Sequence, residues 1–520
     1  MRVSRRGVLA ALPLVAASGA MAEPRPTRLW EVLELSFAGP TDGNPFVDVT
    51  LYAEFSQKAK TVRVDGFYDG NGVYKIRFSP PATGTWSWRT TSNAAVLNGK
   101  NGSFQAAEAQ AGRHGPVAVT ADGYHFVHAD GTPFCQIGTT AYGWAQQSDD
   151  VVAQTLTTLA ASPFNKIRMC VFQNVAAAPV EPFVKTGPGD RDWNATRFNP
   201  LFFQRFEDRV ARLQAIGVQA DVILYHPYDK KHGWCDMARG DDERYLRYVI
   251  ARLSAYDNVW WSMANEFDLV LSKQQADWDY LGGFVAANDS HNRLRSIHNG
   301  KAFFDNRRPW VTHASIQNGM SVKDDTRAEI YRGVWQKPVV FDEVCYEGKI
   351  ALRWGDLSGP EMVSRFWHGL VGGTYVGHGE VLSQQNVSAD GAWSGSGGRL
   401  VGESPPRLAF LKTVMEQGPK PGFDAIDKWW DRHFGGQAGS YYLRYFGEEA
   451  PLEWAFELPA KVLSGGETFK VDILDTWNMT ATPVDGTFTV VKKDAYTFHD
   501  PSRVVGLPGK PWIAIRAVKI

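Results

Sequence analysis

Residues 258–267 read NVWWSMANEF, and residues 338–344 read PVVFDEV. Each is an apolar run that closes on a glutamate, Glu266 in the first and Glu343 in the second. Short apolar runs bounded by turn residues are consistent with strands buried on both faces of a parallel sheet. A carboxylate at the end of such a strand is costly to bury unless it is paired. For one glutamate alone, an ion pair with a nearby lysine or arginine explains the position. Two glutamates at matching strand ends point to a shared task.

Working outward, six more runs of this kind occur: FCQIGTTAY (134–142), FNKIRMCVF (164–172), VQADVILYH (218–226), LRSIHN (294–299), WVTHAS (310–315) and GGTYVGHGE (372–380). Helical stretches lie between most of them. FFQRFEDRVARLQAIG (202–217) spaces its apolar residues for a helix and ends at Gly217, and DERYLRYVIARLSAY (242–256) behaves likewise. Alternating strands and helices predict a parallel sheet, and eight such units over residues 113–418 predict a (β/α)8 TIM barrel. An open doubly wound sheet is the alternative, but no glycine-rich phosphate loop follows the first strand.

Either side of the barrel the texture changes to short alternating runs with Gly, Asn, Asp and Pro between them. Residues 23–112 contain VDVTLYAEF (47–55), KTVRVDGFYD (60–69), YKIRFSP (74–80) and GTWSWRT (84–90). Residues 419–520 contain SYYLRYF (440–446), PLEWAFEL (451–458), TFKVDILDTW (468–477), GTFTVVKK (486–493) and KPWIAIRAV (510–518). Both segments predict β-sandwiches, so the expected architecture is multidomain, a central barrel between two sandwiches. A length of 520 residues fits that division.

The charge balance of 55 basic against 56 acidic residues argues against a nucleic-acid partner, which calls for a basic surplus. Residues 1–22, MRVSRRGVLAALPLVAASGAMA, have a basic start, a short apolar stretch and the small-residue site Ala20-Met21-Ala22. This reads as a secretory signal, too short in its apolar part to span a membrane. Arg5-Arg6 within SRRGVL adds a twin-arginine export pattern. Removal of the leader leaves 52 basic against 56 acidic residues, a net charge of -4. The expected location is the bacterial periplasm or the medium. The four cysteines, Cys135, Cys170, Cys235 and Cys345, lack metal-ligand spacing, and three sit inside apolar runs as small hydrophobes. No metal and no cofactor is expected.

In a TIM barrel the reactive groups gather at the C-terminal ends of the strands. Glu266 and Glu343 end the fourth and seventh. Two carboxylates facing one cavity are the minimum equipment for glycoside hydrolysis, one as nucleophile and one as proton donor. The pair, with Asn265 before the first glutamate, resembles the retaining glycoside hydrolases of clan A. That resemblance implies Glu266 as acid/base, Glu343 as nucleophile and Asn265 as partner of the sugar 2-hydroxyl. Arg168, in IRM on the second strand, is similar to the clan's arginine that holds the nucleophile ionised. The domain order and the opening PFCQIGTTAYGWAQQ stretch (133–147) resemble the apiosidase-like glycoside hydrolases. The flanks resemble the domains of unknown function 5060 and 5605 that accompany that barrel.

Further strand ends supply substrate-binding candidates: Tyr142 and Trp144 after the first strand, His226 with Tyr228 after the third, His313 at the sixth and His378 with Glu380 at the eighth. Trp234, Trp335, Trp354 and Trp393 fall in or beside expected loops. Trp393, in DGAWSGSGG (390–398), is the candidate for a sugar-stacking lid. Asp342 should point away from Glu343, because side chains alternate along a strand. The reading is an exported retaining glycoside hydrolase acting on an oligo- or polysaccharide. A non-catalytic carbohydrate-binding barrel and a transglycosylase or lyase using the same cleft remain as alternatives.

Overall fold

The computed structural model describes residues 27–172, 180–318, 325–382, 392–426 and 434–520. The leader, residues 1–22, lies outside the described residues. None of the described helices is long and apolar enough to cross a membrane.

Eight parallel strands form the central sheet: β1 Gly138–Thr140, β2 Lys166–Cys170, β3 Gln219–Ile223, β4 Val259–Ser262, β5 Arg295–Ser296, β6 Ala314–Gln317, β7 Val339–Glu343 and β8 Tyr375–His378. Their order is 5-4-3-2-1-8-7-6. A single parallel bridge, His298 to Ser315, brings the two edge strands together. The sheet is therefore a nearly closed barrel. Every residue of β2, β3, β4, β7 and β8 is buried, which is why these strands read as unbroken apolar runs rather than alternating ones.

Helices α1 Asp149–Ala160, α2 Pro200–Ala215, α3 Arg239–Leu253, α4 Gln275–Asn288, α5 Asp325–Trp335, α6 Gly359–Val371 and α7 Ser404–Gln417 lie outside the strands. The chain from β5 to β6 has no helix. It also corrects the expected sixth strand. Trp310 and Val311 do not enter the sheet. The Trp310 ring lies so close to Gly282 of α4 that a Cβ there would come within 2.4 Å of it, and its indole donates to Asp279 at 2.9 Å. Helix packing claims Trp310, and the strand begins four residues later.

Both flanks are rich in strands. In the first, a five-stranded sheet that includes Leu51–Gln57 and Gly84–Ser92 faces a three-stranded sheet that includes Leu33–Ala38 and Val73–Phe78. Phe55 of one sheet stacks on Phe78 of the other at 4.2 Å. In the second, strands Tyr441–Tyr445, Thr468–Asp475 and Ile513–Lys519 pair antiparallel in one sheet, and Glu453–Pro459 and Thr497–Gly506 lie in another. This flank rests on α6. Trp367 stacks on Tyr445 at 5.7 Å, and Gly435 approaches so closely that a Cβ would meet Val371 Cα at 2.7 Å.

The first flank is tied to the barrel by buried charge. Arg77 of the flank meets Glu207 of α2 at 2.8 Å. Arg252 of α3 meets Asp69 of the flank at 2.6 Å and also pairs with Glu207. Arg77 donates a further bond to the Arg252 carbonyl at 2.7 Å. Removing one member of such a network strands the others in a poorly solvated place. Arg252→Ala should therefore cost about 3–5 kcal/mol, read as a lower urea midpoint. A midpoint equal to wild type would show that the network does not hold the flank.

Candidate active site

After β4 the chain continues through Met263, Ala264 and Asn265 and turns at Glu266. Glu266 has φ 47° and ψ 54°, a left-handed conformation rare for a residue with a side chain. Neighbouring strands hold it there. Asn265 N–H donates to Tyr225 O at 2.9 Å, Phe267 N–H to His298 O at 3.0 Å, and Leu269 N–H to Glu266 O at 2.8 Å. Backbone strain of this kind, roughly 1–3 kcal/mol, gathers where a side chain must face a particular way. The half-buried Glu266 carboxylate accepts a hydrogen bond from the Tyr228 hydroxyl.

Glu343, the last residue of β7, is buried and surrounded by donors. Arg168 reaches Oε1 at 3.2 Å and His298 Nε2 lies 3.2 Å from the same oxygen. Tyr346 donates to Oε2 at 2.8 Å, and Tyr142 also donates to Oε1. Burial alone would push this carboxyl up. His298 and Arg168, with the Tyr142 hydroxyl, outweigh it and hold Glu343 down to about 2. The hydroxyls of Tyr142 and Tyr346 move the other way, raised by burial and by the Glu343 charge, so they stay protonated as donors.

One polar chain connects the two glutamates. Arg168 donates its other nitrogen to Asn265 Oδ1 at 2.7 Å, and Asn265 Nδ2 donates to Tyr228 OH at 2.9 Å. The Tyr228 proton is thereby left for Glu266. Tyr228 is 43% exposed, a ring open to the mouth of the site. His226 fixes it from behind, stacked at 5.4 Å, with Nε2 on Phe172 O at 2.9 Å and Nδ1 accepting from Tyr228 N–H at 3.2 Å.

A second chain runs down into the barrel. His298 Nδ1 meets Ser315 Oγ at 2.9 Å, and Ser315 donates to Asp342 Oδ2 at 2.5 Å. Lys166 then bridges Asp342 and Asp221, each at 2.7 Å. Asp342 is thus directed to Lys166 inside the barrel and Glu343 to the mouth. Asp268, next to Glu266, is committed to the backbone: Gly300, Lys301 and Ala302 N–H donate to it at 2.5, 2.7 and 2.8 Å.

Several expected contacts are elsewhere. His313 precedes β6 instead of ending it, packed against Trp260 and Phe126. It is at the wrong end of the strand because the strand starts later than the sequence suggested. Trp144 is buried, its indole donating to Met169 Sδ at 3.2 Å. Trp393 is buried as well and donates to Thr139 Oγ1 at 2.8 Å, so it anchors its loop and is not a lid. His378 meets Thr139 Oγ1 at 3.1 Å and stacks on Phe164, away from the glutamates. Trp234 is buried against His232, and Trp335 belongs to α5. Trp354 alone of that set touches a ring of the site, Tyr346, edge-on at 6.3 Å. The structure brings together Glu266, Glu343, Asn265, Arg168 and Tyr142, with His226 one layer behind. Tyr228, expected beside His226, joins them between Asn265 and Glu266, and the structure adds His298 and Tyr346. His298 ends its run just as Glu266 ends NVWWSMANE, so the same strand-end rule finds it.

The family model described as "Apiosidase-like, catalytic domain" matches residues 120–380. Models of two domains of unknown function, DUF5060 and DUF5605, match residues 27–93 and 430–518. A crystal structure of a candidate glycoside hydrolase from Bacteroides vulgatus ATCC 8482 is 37% identical, with a TM-score of 0.91 over 95% of this chain and 99% of that one. A family 5 glycoside hydrolase from the same organism shares the fold at 15% identity, with a TM-score of 0.56 over 78% of this chain and 93% of that one. None of the curated proteins compared matches the chain.

The depressed Glu343 carboxyl links stability to pH. Its stabilising contribution is complete above the ordinary value of 4.5 and is lost as pH falls toward about 2. Arg168→Met removes one cation from it and should move that loss to higher pH in thermal unfolding scans. Superimposable pH profiles for the two proteins would contradict this coupling.

Proposed function

Because the chain belongs to the apiosidase-like family of glycoside hydrolases, we propose that it is an exported retaining glycosidase on a TIM-type barrel between two β-sandwiches. The observation that carries the mechanism is the unequal treatment of two linked carboxylates. Glu343 is buried and kept charged by Arg168 and His298, whereas Glu266 sits half-buried at the mouth on a neutral tyrosine. Different environments for two acids at one cleft support the roles of nucleophile for Glu343 and acid/base for Glu266.

In the first step the Glu343 carboxylate attacks the anomeric carbon of the bound sugar. The glycosidic C–O bond breaks, and the leaving oxygen takes the proton of Glu266. Arg168, Tyr142 and Tyr346 hold the attacking carboxylate in line. In the second step Glu266, now a carboxylate, removes a proton from water. The hydroxide attacks the same carbon, and Glu343 leaves with its charge restored. Asn265 and Tyr228 lie between the two carboxylates, where a sugar hydroxyl and ring face would rest. A carbohydrate substrate fits this mouth, with Tyr228 offering the exposed aromatic surface. Export rests on residues 1–22 of the sequence, and the expected compartment is the periplasm or medium.

Assays on aryl glycosides and on plant and bacterial polysaccharides test the roles. Glu343→Gln should reduce turnover to background with unchanged circular dichroism. Glu266→Gln should lose about 10²–10⁴-fold, with the smallest loss on activated aryl leaving groups. Full activity in Glu343→Gln would remove it as the nucleophile. For export, the double substitution Arg5→Lys and Arg6→Lys should leave the chain in the cytoplasm on cell fractionation. Undiminished periplasmic protein would exclude the twin-arginine route.

A further inference from the structure

Behind the catalytic wall lies a second set of titratable groups that the chemistry above does not use. Glu347 follows Tyr346 after β7, and Glu380 follows β8. Their main chains pair side by side. One carboxylate oxygen of each, and a ring nitrogen of His378, lie within 4.8 Å of one another. All three side chains are buried. The donors that reach the carboxylates are neutral groups from the first turn of α7 and the residues before it. Val401 and Gly402 N–H donate to Glu380 at 2.8 and 2.9 Å, and Glu403 and Ser404 N–H donate to Glu347 at 2.6 and 3.2 Å. Gly402 leaves the space between them open, since a Cβ there would lie 2.4 Å from Glu347 Oε2 and 2.7 Å from Glu380 Oε2.

His378 supplies an independent sign. Its Nδ1 is engaged by Thr139 Oγ1 at 3.1 Å. Its Nε2, fully buried, has no hydrogen-bond partner among the described residues. Thr139 Oγ1, which also accepts from Trp393, has a second lone pair for an Nδ1 proton. In that tautomer the Nε2 lone pair is free. A histidine that donates one nitrogen to a fixed acceptor and offers the other is the usual arrangement of a metal ligand. The set His226, Asp229 and Cys235 is equally close but differs on this point. Both nitrogens of His226 are spent, on Phe172 O and on Tyr228 N–H.

We propose that Glu347, Glu380 and His378 bind a first-row divalent cation of the Zn2+ or Mn2+ type, which fastens the ends of β7 and β8 to the start of α7. Two carboxylate oxygens with one imidazole nitrogen suit those ions, whereas Ca2+ favours oxygen alone. A proton shared between the glutamates is the competing way to relieve their repulsion. Burial and the neighbouring Glu347 do raise Glu380 to about 7. Yet a shared proton leaves the buried His378 nitrogen unused, and a cation engages all three groups. The site would also steady the wall of the cleft, because Glu347 directly follows Tyr346, whose ring packs on Gly379 beside Glu380.

This inference does not depend on the glycosidase reading, and metal content tests it. The full chain is stripped with a chelator, equilibrated separately with Zn2+, Mn2+ or Ca2+, desalted and analysed by mass spectrometry for metal. Wild type should retain one equivalent of Zn2+ or Mn2+ and gain melting temperature on binding. Glu380→Gln and His378→Gln should each retain less than a tenth as much and show no gain. Failure of wild type to retain either ion overturns the proposal, whether or not the variants fold. Equal retention in folded variants, or preferred retention of Ca2+, overturns it as well.

Discussion

A negative charge buried at the end of β7 is the constraint around which the barrel is organised. Glu343 is out of water, and a lone buried carboxylate would take up a proton. It remains charged because strands from around the ring each bring a partner: Tyr142 from the first, Arg168 from the second, His298 from the fifth and Tyr346 from the turn after the seventh. None of these residues is near another in sequence except Tyr346 and Glu343. The site therefore exists only when the ring is nearly closed. The bridge between His298 and Ser315, which joins the edge strands, passes through one of the partners themselves.

The deeper layer extends this dependence. Asp342 neighbours Glu343 and carries its own charge, yet it is matched by Lys166, which is matched in turn by Asp221. Ser315 ties this group to His298. Alternating charges inside the barrel thus separate two adjacent acids, one paired with Lys166 in the interior and one turned to Arg168 at the mouth. The first flank adds a further set, Arg77, Glu207, Arg252 and Asp69, at its junction with the outer helices. That flank is fastened to α2 and α3, and the second rests on α6, so both support the helical shell and leave the C-terminal mouth to the loops.

The strand runs were legible in the sequence because each is buried on both sides, and the glutamates were legible because acids rarely end such runs. Tyr142 followed from its place at a strand end, whereas Arg168 and Asn265 were picked out by the resemblance to clan A. The sixth strand was misplaced because Trp310 and Val311 are as apolar as any strand residue, and only the contact of Trp310 with Gly282 shows that its ring serves α4. His313 was misjudged with it. Trp144 and Trp393 were misread for another reason: a tryptophan in a glycine-rich loop has the same sequence whether its ring faces sugar or core. The bonds to Met169 and Thr139 decide that, and they are formed across distant segments. The tryptophans placed in or beside the loops serve mostly in packing, and the exposed ring at the site belongs to Tyr228.

The central claim is that a charge stabilised from several strands is used as a nucleophile. The most direct measurement is to incubate the enzyme with an activated 2-deoxy-2-fluoro glycoside of the sugar it releases and to map the adduct by peptide mass spectrometry. The account predicts one glycosyl group in ester linkage to Glu343, formed in wild type and absent from Glu343→Gln. An adduct on another residue, or products of inverted anomeric configuration with no adduct, would contradict it.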